Sequence, residues 1–169
     1  SLGELYSALS RVYALAISLP DAPLREFQRR VAELPRTTEV ERLVVQRIGQ
    51  DIFRNRLMDY WQERCPLTEI TDPALLRASH IIPWKACASD QERLDVHNGL
   101  LLSSLWDAAF DGGLVTFDDE GCPVFSPVLS EQARRGLFWG TPLRLTAHHR
   151  RRLDYHRSTV FIASSLLCK

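Results

Sequence analysis

His80 stands in an apolar stretch between Ser79 and Ile81, with Asn98 eighteen positions further on and Asp107 nine after that. An imidazole, with an ordinary pKa of about 6.5, can take a proton from water close to neutral pH. Asn98 offers a neutral carbonyl oxygen and Asp107 a carboxylate, both hard donors that suit Mg²⁺ or a similar ion. Phosphodiester hydrolysis uses such parts. A base makes the attacking hydroxide, and a metal stabilises charge on the phosphate and the leaving oxygen. Taken singly, each residue has a plainer reading: a hydrogen-bonded core histidine, a turn residue before Gly99, and a solvated or capping carboxylate. The joint arrangement is what points to chemistry.

The elements that must position these residues follow from periodicity. Leu5, Leu9, Val12, Leu15, Ala16 and Leu19 predict a helix ended by Pro20. Leu24, Phe27, Val31 and Leu34 predict a second, stopped by Pro35. A third runs from Thr38, whose spacing to Glu41 is that of a capping box, to about Arg64. Residues 75–82 are short, apolar and bounded by Pro83, which suits a buried strand carrying His80. Residues 85–93 are polar and read as a loop or a single helical turn, and Asn98-Gly99 as a turn signal. Residues 105–110 form a short helix stopped by Gly112-Gly113. Residues 114–117 and 123–125 flank Asp118-Asp119-Glu120-Gly121 as a hairpin, and helices return over 130–137 and 147–157. The expected class is α+β, with helices around a small β-β-α unit.

Composition narrows the function. No run nears the roughly 18–20 continuous apolar residues that span a bilayer, so a soluble protein with no membrane partner is expected. Cys65, Cys87, Cys122 and Cys168 are scattered, with no Cys-x-x-Cys pair, which argues against a zinc ribbon or a disulfide framework and for a reducing, cytoplasmic setting. The opening Ser1-Leu2-Gly3-Glu4 carries no secretory pattern, and a longer parent protein is expected. Net charge is zero, yet residues 65–130 hold 3 Lys+Arg against 10 Asp+Glu, and residues 131–169 hold 8 against 2. An acidic middle could bind metal and an arginine-rich tail phosphate.

The stretch resembles the HNH endonucleases. It is similar to the branch that reads Ala/Ser-His-Ile-x-Pro-Trp, then Asn-Gly-Leu-Leu-Leu, then His or Asp followed by x-x-Phe-Asp-x-Gly-Leu. Here the blocks are Ser79-His80-Ile81-Ile82-Pro83-Trp84, Asn98-Gly99-Leu100-Leu101-Leu102, and Asp107-Ala108-Ala109-Phe110-Asp111-Gly112-Gly113-Leu114. The flanks "VVQRIGQDIFRNRLMDYW" and "LDYHRSTVF" also look like the accompanying helices of bacterial proteins in this branch.

The resemblance implies a ββα-metal nuclease core with N-terminal helices and a C-terminal helical tail. Residues 1–64 would be a helical region packed on the core, and 65–169 the nuclease domain. His80 becomes the general base. Asn98 either binds metal or orients the loop. Asp107 stands in place of a third His, which favours Mg²⁺ or Mn²⁺ over Zn²⁺. Asp111, four residues on, would supply a second carboxylate ligand or hold the helix end. Arg77, Lys85, Arg150 and Arg151 are candidate phosphate contacts, while His97 stays outside the core set and Trp84 reads as packing. Ser79 cannot act as the anionic ligand that many relatives place before the His, and Glu69 stands where Gly is expected, so either that turn is distorted or the residue has simply changed.

The leading expectation is a metal-dependent DNA endonuclease of bacterial restriction or anti-phage defence. A homodimer or a fused or associated sensor domain would be its partner. The rivals are a DNA-binding regulatory module with an inactive or partner-dependent site, and a toxin-like effector nuclease.

Overall fold

The computed structural model describes residues 1–19 and 21–164; Pro20, Cys168 and Lys169 lie outside them. Three helices come first: α1 (Leu2–Ser18), α2 (Asp21–Val31) and α3 (Glu39–Tyr60). The capping box at Thr38 and Glu41 is present, so α3 starts where its sequence says. It stops short of Arg64 because Gln62 and Glu63 turn to φ of 58° and 52°, outside helical space. Helix α2 begins earlier than the apolar spacing suggested, since Pro23 fits a first helical turn, where no N–H is required of it.

Two short antiparallel strands follow. Strand β1 (Leu76–His80) pairs with β2 (Gly99–Ser103), His80 opposite Gly99 and Leu76 opposite Ser103. The connection between them carries α4 (Asp90–Leu94), capped by Ser89, and one 3₁₀ turn at Val96–Asn98. Strand β2 was hidden in the sequence. All five of its residues are buried, so it lacks the alternation that marks a half-exposed strand, and its Asn-Gly start reads as a turn. Helix α5 (Ser104–Asp111) leaves β2 without a loop and packs across β1. The expected hairpin then appears as β3 (Val115–Phe117) and β4 (Pro123–Phe125). Helices α6 (Glu131–Gly136) and α7 (Ala147–Thr159) complete the chain, giving an α+β architecture. Among the described residues no helix is long and apolar enough to cross a membrane.

Two apolar clusters hold these pieces. One gathers Leu76, Leu100, Trp106, Phe110, Phe117 and Leu153 beneath the strands and α5. The other joins Phe27, Ile52, Phe53 and Leu57 of α2 and α3 to Leu94 and Val96 of the β1–β2 connection. The N-terminal helices thus brace the connection beside His80. The turn at Glu69 is formed rather than distorted. Glu69 adopts φ of 63°, the left-handed conformation that Gly favours, its amide donates to the Cys65 carbonyl at 2.9 Å, and its carboxylate pairs with Arg64. Cys65 and Cys87 are buried free thiols and Cys122 a half-buried one.

Gly99 is where the two clusters meet. A Cβ there would lie 2.5 Å from Phe53 Cζ and 2.7 Å from Leu57 Cδ1. Gly99→Ala should therefore cost about 1–3 kcal/mol of stability by overpacking. Urea unfolding checks this, and an unchanged midpoint would contradict the packing described.

Candidate active site

His80 ends β1 with its ring held on three sides. Phe53 of α3 stacks on it at 3.8 Å between centroids, and Trp84 meets it edge-on at 5.4 Å. Its Nε2 lies 2.9 Å from the Arg93 carbonyl. A carbonyl only accepts, so Nε2 carries the hydrogen and Nδ1 keeps its lone pair. Burial lowers the imidazole pKa to about 4, the Arg93 carbonyl opposing that shift, so at neutral pH the ring is uncharged and able to accept a proton.

The Arg93 carbonyl is itself fixed. The Arg93 guanidinium donates to the carbonyls of Trp84 and Cys87 at 3.1 and 2.9 Å and pairs with Asp90 at 2.9 Å. Asn98 ties the same connection together and is wholly buried. Its Oδ1 accepts from the Ile82 amide at 2.9 Å, while Nδ2 donates to the Ile82 and Glu92 carbonyls at 3.2 and 3.3 Å. The Asn98 amide thus braces the loop whose Arg93 carbonyl holds the His80 ring.

Asp107 and Asp111 sit one turn apart on α5. The hydroxyl of Ser79, one residue before His80, donates to Asp107 Oδ1 at 2.5 Å. Asp111 lines a cleft of about 410 Å³ together with His80, Gln50, Trp84 and His156. Partial burial, and then repulsion from Asp107, push the Asp111 pKa up to about 6. The structure thus puts His80 and Asp111 in one cleft. Asp107 lies one helical turn from Asp111, and Asn98 lies behind the loop.

Residues 65–118 match the family model described as HNH endonuclease. This segment belongs to the HNH endonuclease family. No curated protein matches the chain. The family is one of nucleases, and the matched residues of this HNH segment include β1, the β1–β2 connection, β2 and α5.

Beyond the HNH segment, the basic tail is partly spoken for. Arg152 is buried and pairs with Asp95 at 2.5 Å; Arg157 pairs with Asp119 at 2.9 Å, and Arg150 donates to the Asp119 carbonyl at 2.9 Å. Arg151 and Lys85 are exposed, and Arg77 is exposed with its guanidinium donating to the Ala74 and Leu76 carbonyls. Arg77 and Lys85 flank the His80 loop. Arg150 and Arg151 lie about 9 and 7.5 Å back along α7 from His156, which lines the cleft. His97 pairs with Asp95 at 2.9 Å.

Sequence reasoning missed Phe53, Gln50, His156 and the pairing role of Ser79. His156 stacks on Phe110 at 3.9 Å, with Nδ1 3.0 Å from the Thr116 hydroxyl and Nε2 3.2 Å from the Phe110 carbonyl. Its place in "LDYHRSTVF" was visible, but nothing local tells which core face receives it.

Two outcomes follow. Asn98→Ala strands the Ile82 amide and the Glu92 carbonyl, and should lower the unfolding free energy by ~2–3 kcal/mol in urea titrations. Stability should also fall with acid. His80, His149 and His156 have pKa values lowered to about 4, 3 and 4, mainly by burial. Between those values and the ordinary histidine pKa of about 6.5, the unfolded chain binds more protons, so stability declines as pH falls. Asp111, raised to about 6, offsets one of the three. The urea midpoint in EDTA should drop clearly from pH 7.5 to pH 5, and a flat profile would refute the buried neutral imidazoles.

Proposed function

We propose that this protein is a divalent-metal-dependent endonuclease that hydrolyses DNA phosphodiester bonds, in restriction or defence against foreign DNA. In this reading β1, β2 and α5 form a ββα-metal core, residues 65–169 act as the nuclease domain, and residues 1–64 brace it. The observation that carries it is His80, tied through Nε2–H to the Arg93 carbonyl with Nδ1 left as a base, in one cleft with Asp111.

The residues fit a hard cation. Asp107 and Asp111 are oxygen donors on neighbouring turns of α5; burial and then repulsion from Asp107 raise the Asp111 pKa, and a bound cation would oppose that repulsion. Among the described residues no three His, Cys, Asp or Glu side chains converge on one point. Two carboxylates suit Mg²⁺ or Mn²⁺, which complete their shell with water and substrate phosphate. When bound, the ion supplies electrostatic stabilisation of the phosphate and leaving oxygen.

The chain's own groups do the rest. His80 Nδ1 removes a proton from water as its oxygen bonds to phosphorus and the bond to the leaving oxygen breaks. The incoming phosphate charge raises the imidazole pKa from its buried value and so strengthens the base. Ser79 fixes the Asp107 carboxylate one residue from the base. Asn98 and Arg93 hold the loop, and Arg77 and Lys85 contact the phosphates on either side.

Supercoiled plasmid with Mg²⁺ or Mn²⁺ tests this. Nicking should vanish in EDTA and fall at least about 100-fold in His80→Ala, the usual worth of a general base. Cleavage that survives His80→Ala would remove the assignment. The second reading, a DNA-binding module without cleavage, draws on the Ser79 hydroxyl occupying Asp107 Oδ1 where a metal would otherwise bind. Its signature is DNA binding in EDTA and no nicking with any divalent ion.

A further inference from the structure

Helix α1 carries its apolar face outward. Leu2, Leu5, Tyr6, Leu9, Val12 and Tyr13 are all between 57% and 87% exposed. The side turned to α3 is small and polar, with Ser7, Ser10, Arg11 and Ala14 lining a groove against Met58, Asp59 and Gln62. Arg11 donates to the Asp59 carbonyl at 3.1 Å. An amphipathic helix packed on its own domain does the reverse, burying its apolar stripe. Leu2, Leu5, Leu9, Val12 and Ala16 also alternate in steps of three and four, the spacing of a two-helix seam.

We propose that this face is the seat of a second copy of the same chain, with two α1 helices packed antiparallel across a two-fold axis through Leu9. A two-fold interface must be self-complementary, residue i meeting j and j meeting i. The outward residues satisfy this about Leu9. Leu2 comes opposite the partner's Ala16, Leu5 opposite the partner's Tyr13, and Tyr6 opposite the partner's Val12. Leu9 meets its own copy. Large side chains thus face smaller ones along most of the seam, and none of these positions is charged. The only charged residues of α1 are Glu4 and Arg11, and Arg11 is turned toward α3.

The area is sufficient. Six side chains of this size and exposure amount to roughly 700–800 Å² per chain, close to the roughly 800 Å² per partner of a standard stable interface. An exposed contiguous patch of that size is at the upper end of what monomers carry. The pairing depends only on α1, so it stands apart from the nuclease reading.

Sedimentation equilibrium of the full chain at micromolar concentration should give twice the chain mass. Leu9→Glu places two carboxylates against each other on the axis and should return a monomer with unchanged helical circular dichroism, since Leu9 is exposed in the single chain. A wild-type monomer overturns the proposal. So does a dimer indifferent to Leu9→Glu, which would place the interface elsewhere. Orientation has its own test. Under mild oxidation Leu9→Cys should form a covalent dimer, while Leu2→Cys, Ser7→Cys and the wild type should not. Cross-linking through Leu2→Cys but not Leu9→Cys would exclude the antiparallel seam, and so would the absence of any Leu9→Cys cross-link.

Discussion

One buried amide holds this site together. Asn98 closes the long connection between β1 and β2 by bonding both backbone groups of Ile82, sixteen residues earlier in sequence, and the Glu92 carbonyl. A connection of this length has many conformations, and a polar loop over a core leaves backbone groups to satisfy. Asn suits the task because one short side chain offers an acceptor and two donors. Once the loop is fixed, Arg93 is fixed, its carbonyl receives Nε2–H of His80, and the His80 tautomer is chosen. Loss of the amide would therefore reach His80 without touching it.

The second constraint is electrostatic. Burial under Phe53 and beside Trp84 keeps His80 neutral, which suits a base but weakens it. The counterweight lies on α5, where Asp111 faces the same cleft and Asp107 sits one turn away from it. The charge asymmetry of the chain is used twice over. Part of the acidic middle faces the cleft, while Asp95 of the HNH segment and Asp119 just beyond it neutralise Arg152 and Arg157 of α7 and so dock the tail. The basic run is therefore partly a structural clasp. Arg150 and Arg151 of that run are exposed, as are Arg77 and Lys85 beside His80.

The N-terminal helices do two jobs with opposite faces. Helix α3 sends Phe53 and Leu57 against Gly99, and Phe53 against His80, so a residue outside the HNH segment forms one wall of the His80 ring. Helix α1 keeps its apolar stripe off the core and leaves it to solvent. Such a stripe costs solubility unless something covers it, which is why its pattern carries information about assembly.

The sequence alone determined the local features: the capping box that starts α3, the β3–β4 hairpin, and the short helix bearing Asp107 and Asp111. Each depends on residues within a few positions of one another, where propensity, caps and turn chemistry act. It also marked Glu69 as a position wanting Gly, and its positive φ bears that out. Tertiary structure decided the rest. Strand β2 is buried on both faces and so has no alternation to read. The choice between metal ligand and loop clamp for Asn98 turns on which atoms reach its amide. The pairing of Ser79 with Asp107 spans 28 residues, and the contact of His156 with Phe110 spans 46. No periodicity encodes contacts at such separations, because they arise only when several packed elements bring distant side chains to one place.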